Sequence, residues 1–401
     1  MLFEAGRHEI LSGDSWNPAV VGNAIRSIVV DCEDHLRREA FWARHPRDAD
    51  DSPSAYDKTL YLGAAGVLWA MWHLACQGAV KLRVEPDRLI GRAYDDYLTA
   101  PDTGEVVPSY YLGEVGILLI LWRLTGDASA AERLHKLIRE NIPNPTNEAL
   151  WAAPGTMVGA LHMFEWTGDD RWRELFLENV ERLWETRLPS PYADCHLWTQ
   201  DLYGSVVQLL GAGHGFAGNV YPLLRGAWLL PAERCETLYR RCVSTLTVSA
   251  LREADYVNWP PGVGPSRPGR TQVLMQWCHG APGIITATAD FPRAWSAEMD
   301  DLLLKAGAAT WSAGPLAKGY GLCHGTAGNG QAFLKLHRRT GDAVWLERAR
   351  AFAMHAIDQR ERMRKEYGIG RYNLWTGDAG LAVYLHHCLT GADGMPGLDL
   401  L

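Results

Sequence analysis

A chain of 401 residues with 47% hydrophobic and 21% charged side chains has the composition of an ordinary soluble globular protein. Its formal charge of -8 excludes a general phosphate-backbone binder, which needs clustered Lys and Arg. No run approaches the roughly 18 apolar residues of a membrane span, and the first 13 residues, Glu4, Arg7, His8 and Glu9 among them, do not read as a secretory signal.

The expectation is therefore a cytoplasmic protein with no membrane span and no nucleic acid among its partners. Its eight cysteines show no disulfide-scaffold spacing and are expected to be reduced.

In chain order, residues 1–57 form an N-terminal extension packed on the unit made by residues 58–401. The extension contains a helical stretch over 19–41, with Val20, Ala24, Ile28 and Leu36 near one face, and an acidic cluster at Asp48, Asp50 and Asp51. From residue 60 a unit recurs. Gly-x-x-Gly ahead of an apolar run stands at Gly63 and Gly66, Gly113 and Gly116, Gly215 and Gly218, Gly280 and Gly283, Gly325 and Gly328, and Gly377 and Gly380. A degenerate copy, Ala152-Ala153-Pro154-Gly155, makes seven, spaced 39 to 65 residues apart.

Each step leads into an apolar helix, as at Val67-Leu68-Trp69-Ala70-Met71-Trp72, followed by a turn and a charged, one-sided helix, as over 86–98. Helices apolar all round are buried and striped ones face water, so the first kind predicts an inner ring and the second an outer ring. Outer helices are expected over 128–140, 170–187, 232–249 and 342–362. Thr-Gly-Asp at Thr125 to Asp127, Thr167 to Asp169 and Thr340 to Asp342 suits the turns between rings, with Gly ending one helix and Asp capping the next. No strand-like alternation competes.

The fold class is all-α: an α/α toroid, or double-layered barrel, of seven inner and about seven outer helices, a single domain overall. An open solenoid would end in polar repeats. The seventh copy, Leu374-Trp375-Thr376-Gly377-Asp378-Ala379-Gly380-Leu381, is as apolar as the first, which favours closure. The glycine steps should then ring one mouth, with helix N-termini toward the cavity.

Two of the steps follow Cys-His pairs, Cys278-His279 and Cys323-His324. Cys278, Cys323 and His324 are candidate metal ligands: two thiolates and an imidazole suit zinc, and three protein ligands leave a tetrahedral position open, as in catalytic sites. Packing as small hydrophobes is the alternative for the cysteines. His279 is a possible fourth ligand, although adjacent residues usually point apart. Cys195-His196 lies outside the glycine steps and reads as structural. His214 holds in the fourth repeat the place of His279 and His324, where an imidazole could move protons, or simply be satisfied by a carbonyl. Glu148, ahead of the third step, is the one carboxylate added to this set.

Gly213-His214-Gly215, Trp277-Cys278-His279-Gly280-Ala281-Pro282-Gly283 and Gly319-Tyr320-Gly321-Leu322-Cys323-His324-Gly325-Thr326-Ala327-Gly328-Asn329 resemble the lanthionine synthetase C-like family, over most of the chain from about residue 60. The resemblance implies a seven-fold α/α toroid, zinc on Cys278, Cys323 and His324, and a thiol substrate that meets the metal before attacking a dehydroamino acid. It also implies an acid-base role for His214, an acidic helper at Glu148 and, as in glutathione-binding members, ligand contacts from Lys318 and Arg371, the latter matched loosely. His279, where bacterial peptide cyclases often have tyrosine, and Asn258-Trp259-Pro260-Pro261 are similar to the glutathione-binding branch.

The implied activity is zinc-dependent carbon-sulfur bond formation: a thiol, internal cysteine or glutathione, adds to dehydroalanine or dehydrobutyrine in a dehydrated peptide or protein, with a dehydratase or kinase-like protein as a further partner. The alternatives are a zinc-containing toroid that binds glutathione or a protein without turnover, and a protein whose zinc is purely structural.

Overall fold

The computed structural model describes residues 2–37, 39–48, 56–265 and 272–401; Asp50 and Asp51 of the acidic cluster lie outside them. Fourteen α-helices occur among the described residues. Seven follow the glycine steps and form the inner ring: Ala64–Cys76 (α2), Glu114–Thr125 (α4), Ala153–Thr167 (α6), Phe216–Arg225 (α8), Ala281–Thr288 (α10), Thr326–Thr340 (α12) and Asp378–Thr390 (α14). Each touches the next, and α14 touches α2, so the ring closes.

The other seven are Pro18–His35 (α1), Pro86–Thr99 (α3), Ala128–Glu140 (α5), Asp170–Thr186 (α7), Ala232–Ser249 (α9), Ala297–Ala313 (α11) and Ala343–Tyr367 (α13). They form the outer layer, with α1 packed on α14 and α13 beside the closure. No described helix is long and apolar enough to cross a membrane.

The second residue of each glycine step pair has a steric reason. A Cβ at Gly66, Gly116, Gly155, Gly218, Gly283, Gly328 or Gly380 would lie 1.8 to 2.4 Å from the carbonyl oxygen six residues earlier, where the incoming loop folds onto the first helical turn. The first glycine is the helix N-cap and is similarly crowded. In the third copy the loop is built round Glu148, whose carboxylate accepts from the Leu150 and Trp151 N–H groups, and Ala152 fits as the N-cap.

The Thr-Gly-Asp turns behave alike. Gly126, Gly168 and Gly341 end inner helices in the left-handed conformation, and Asp127, Asp169 and Asp342 accept N–H bonds from the next helix. Each threonine hydroxyl bonds back to the carbonyl four residues earlier and accepts from the aspartate N–H.

Two expectations need correction. The first helix stops at His35, and its buried stripe is Val21, Ile25, Ile28, Val29 and Cys32. Val20 is 40% exposed and Leu36 lies past the helix end, because the stripe that meets α14 starts one residue later than the one read from the sequence. Strands also occur, in short antiparallel ribbons: 188–189 with 196–197, 200–202 with 205–209 and 262–263, and 251–253 with 256–258. They lie in the long connections around α8 and α9, too short for alternation to register. Cys195 and His196 belong to the first ribbon, which touches α9.

Aromatic rings fill the space below the mouth. Tyr61 stacks on Trp375 at 5.7 Å, while Tyr111 and Trp277 meet Trp375 at 5.2 and 4.5 Å between centroids. At the opposite end, ten residues beyond each step's first position, stand His73, Arg123, His162, Arg225, Asp290, Lys335 and His387, one from each repeat. Residues 391–401 pack into this end: Tyr110 donates to the Gly397 carbonyl at 2.7 Å, Tyr221 to Asp399 at 2.8 Å, and Lys335 pairs with Asp399 at 2.9 Å.

Candidate metal centre and acid-base pair

The mouth is organised by the residue two before each helix N-cap: Tyr61, Tyr111, Leu150, Gly213, Cys278, Cys323 and Trp375. Their main chains link repeat to repeat. Gly213 donates its N–H to the Cys278 carbonyl at 3.2 Å, Cys278 to Cys323 at 3.1 Å, Cys323 to Trp375 at 2.8 Å, Trp375 to Tyr61 at 3.2 Å and Tyr61 to Tyr111 at 3.0 Å. This chain crosses the closure between the seventh and first repeats. It also sets Cys278 beside Cys323, with Gly213 leaving room: a Cβ there would stand 3.0 Å from that of Cys278.

The ligand atoms of Cys278, Cys323 and His324 all lie within 4.8 Å of one another, the cysteines buried and the histidine half-buried. That spacing lets them converge on one cation at the roughly 2.0–2.3 Å of zinc–nitrogen and zinc–sulfur bonds. The thiols are electronically unequal. A hydrogen bond from Cys323, joined by His324, holds the Cys278 thiol well below its ordinary range, and burial pushes Cys323 up.

Gln276 donates from Nε2 to Cys278 Sγ at 2.9 Å, and the Tyr61 phenol, pushed up by burial, is among the groups that act on the Cys323 thiol. Neither residue was singled out from the sequence. Tyr61 shares the repeat position of both cysteines, and that register was the available signal.

His214 Nδ1 lies 2.7 Å from Glu148 Oε2, and Glu148, fully buried, also accepts from the Leu150 and Trp151 N–H groups at 3.0 and 2.7 Å. With the carboxylate oxygens committed as acceptors, Nδ1 carries the proton toward Glu148 and Nε2 is the imidazole's other working atom. The His214 side chain is 20% exposed, and its ring centroid is 6.2 Å from that of His279. His279 is not part of the three-residue cluster.

Lys318 and Arg371 stand apart in character. Lys318 is exposed and lines a cavity of about 290 Å³ with Arg7, His8, Gln276 and Leu316. The N-terminal segment closes one side of it, Ala317 donating to the Arg7 carbonyl at 3.0 Å and Glu9 to that of Pro315 at 2.8 Å. Arg371 is buried and grips Asp48 through two nitrogens, while Asn373 and Thr376 bond the same carboxylate at 3.1 Å. Burial alone would raise Asp48, but Arg371 holds it below the usual carboxylate range. Asp48 therefore ties the extension to the seventh repeat.

Asp378, inside the seventh step, is buried and accepts from the Tyr320 hydroxyl at 2.5 Å beside Arg360 at 3.4 Å. Asn258, in the Asn-Trp-Pro-Pro stretch, accepts from the Ala281 N–H at 2.7 Å and so caps α10, whose N-cap glycine has no side chain.

The sequence model of the lanthionine synthetase C-like proteins matches residues 54–399. Over 158 residues the chain is 34% identical to "Glutathione S-transferase LANCL1" of Danio rerio, 39% of this chain and 36% of that protein. Over 148 residues it is 36% identical to "LanC-like protein GCL1" of Arabidopsis thaliana, 36% of this chain and 32% of that protein. These matches span about a third of the curated relatives' lengths. Among solved structures, "Nisin cyclase" superimposes with a TM-score of 0.66 at 16% identity, covering 94% of this chain and 96% of its own, a likeness of fold. With the match extending from the first repeat through the last, the chain belongs to the lanthionine synthetase C-like family.

Proposed function

We propose that the protein adds a thiol to a dehydroalanine or dehydrobutyrine residue of a peptide, with zinc on Cys278, Cys323 and His324. The observation that carries this reading is the pairing, at one mouth, of a three-ligand cluster with a carboxylate-held histidine. Zinc, when bound, would supply a Lewis acid that favours the thiolate form of a substrate sulfur at neutral pH.

The chain's own residues do the rest. Gln276 and Tyr61 orient the two cysteine sulfurs, and the aromatic floor of Tyr61, Tyr111, Trp277 and Trp375 keeps water from below. In the addition the thiol S–H bond breaks and its proton passes to His214 Nε2, a sulfur–Cβ bond forms, the Cα–Cβ π bond breaks, and Nε2 returns the proton to Cα, with Glu148 holding the ring. The electron count balances without a redox partner. Glutathione as the thiol is supported by the Lys318 cavity, whose ammonium could receive a carboxylate. Arg371 would take part only by exchanging Asp48 for such a carboxylate.

Mass spectrometry tests the reading on two dehydrated peptides, one with an internal cysteine and one offered glutathione. Expected are one zinc per chain, its loss in Cys323→Ala, and turnover that falls in His214→Ala with zinc retained. Ring closure alone selects an internal cysteine, and adduct formation alone selects glutathione. No reaction above the metal-free background, with glutathione still bound, replaces the enzyme by a glutathione-binding toroid.

A further inference from the structure

The ribbon of residues 200–202 and 205–209 turns through Tyr203 and Gly204, both at positive φ, 51° and 73°. This two-residue turn favours Asn-Gly or Gly-Gly, because left-handed backbone penalises a bulky side chain. A tyrosine is held there with its side chain over the acid-base pair. Its ring meets that of His214 edge-on at 5.9 Å between centroids, and the Trp151 Nε1–H donates to its hydroxyl at 3.0 Å.

The turn is anchored to the loop that presents Glu148. Asn147 donates to the Thr199 carbonyl at 3.3 Å, Gln200 donates from Nε2 to the Asn147 carbonyl at 3.5 Å, and Asn219 of α8 donates to that same carbonyl at 2.9 Å. Yet Tyr203 remains 61% exposed, and Val206 on the same ribbon 69%. An unfavourable backbone, an ordered phenol and an exposed aromatic face combine at one point.

Resting on the thiol-addition reading above, we propose that Tyr203, ordered by Trp151, is the residue that positions the dehydroamino-acid peptide against His214. The thiol's side of the mouth is the Lys318 cavity, lined from the fifth and sixth repeats and the N-terminal segment. Tyr203, Trp151, Glu148 and His214 come from the third and fourth repeats and the connection between them. The acceptor Cα has to reach His214 Nε2, and the exposed surface beside that imidazole is the tyrosine ring. An aromatic face of this kind packs on a planar, conjugated dehydroamino acid without requiring a particular side chain around it.

The test uses the zinc-loaded full chain, a synthetic peptide with one dehydroalanine, and glutathione. In Tyr203→Ala the peptide's Kd, measured by titration without thiol, and its KM should both rise on the order of tenfold, the loss of one aromatic contact. The KM for glutathione, zinc content, helical circular dichroism and the pH profile of kcat should not move. Tyr203→Phe should restore most of the peptide affinity. Unchanged peptide Kd in Tyr203→Ala overturns the proposal, as does a parallel rise in glutathione KM, or wild-type protein that does not bind the peptide. If His214→Ala turns over normally, the acid-base reading fails; the peptide Kd still decides the role of Tyr203.

Discussion

His214 is held at Nδ1 by a carboxylate that also closes two backbone N–H groups, so one residue, Glu148, serves both the imidazole and the loop. Glu148→Gln separates these duties. The amide keeps one acceptor oxygen but turns an NH2 toward groups that are themselves donors, leaving a buried mismatch worth about 1–3 kcal/mol. The expected outcome is a lower melting temperature, and kcat reduced about 10- to 100-fold as the imidazole loses its tautomer and orientation. Zinc content should stay at one per chain. Calorimetry with steady-state assay checks this; wild-type kcat in a folded variant would remove Glu148 from the mechanism.

At the scale of the helix and its preceding loop, the glycine step is a packing device that brings the Cys278, Cys323 and His324 cluster together. Leu322, whose carbonyl would lie 1.8 Å from a Cβ at Gly328, directly precedes Cys323. Gly328→Ala must displace backbone, since no flexible side chain can yield, and should cost several kcal/mol by the overpacking route. Gly341→Ala is the useful contrast: its Cβ meets open space, and only its φ of 73° resists, at about 1–2 kcal/mol. Thermal melts and zinc analysis should show Gly328→Ala losing both stability and metal, and Gly341→Ala losing a little stability alone. Equal metal retention in both would detach the step from the metal centre.

For the molecule as a whole, the end opposite the mouth is expected to contribute to acid sensitivity. Burial pushes His387 down to about 3 and His73 down to about 4. The folded state keeps both imidazoles neutral, while the unfolded chain protonates them below pH 6.5, so stability should fall as pH drops from about 6.5 toward 3–4. Asp399 adds to the same slope lower down. Burial would raise it, but Lys335 and Arg225 hold it below the ordinary range, so its contribution is present above the unfolded carboxylate pKa and is lost as pH falls through the depressed one. Urea midpoints measured from pH 7 to 4 should decline, and His387→Gln should flatten the decline; an unchanged slope would locate the acid sensitivity elsewhere.

The sequence by itself determined the seven-fold architecture and the grouping of Cys278, Cys323 and His324, because both are periodic. A Cβ excluded by the same loop carbonyl in every repeat leaves a glycine in the same place, and Cys278, Cys323, His214 and His324 stand at fixed offsets from it. The family followed from those motifs. Only the tertiary structure decided what has no period. Asp48 and Arg371 meet across more than three hundred residues, and α1 chooses its buried stripe by what α14 presents. The placement of Tyr203 over His214 depends on a two-residue turn in a ribbon too short to mark the sequence. Contacts between repeats at the closure, and between a repeat and an irregular connection, are set by how the ring folds back on itself.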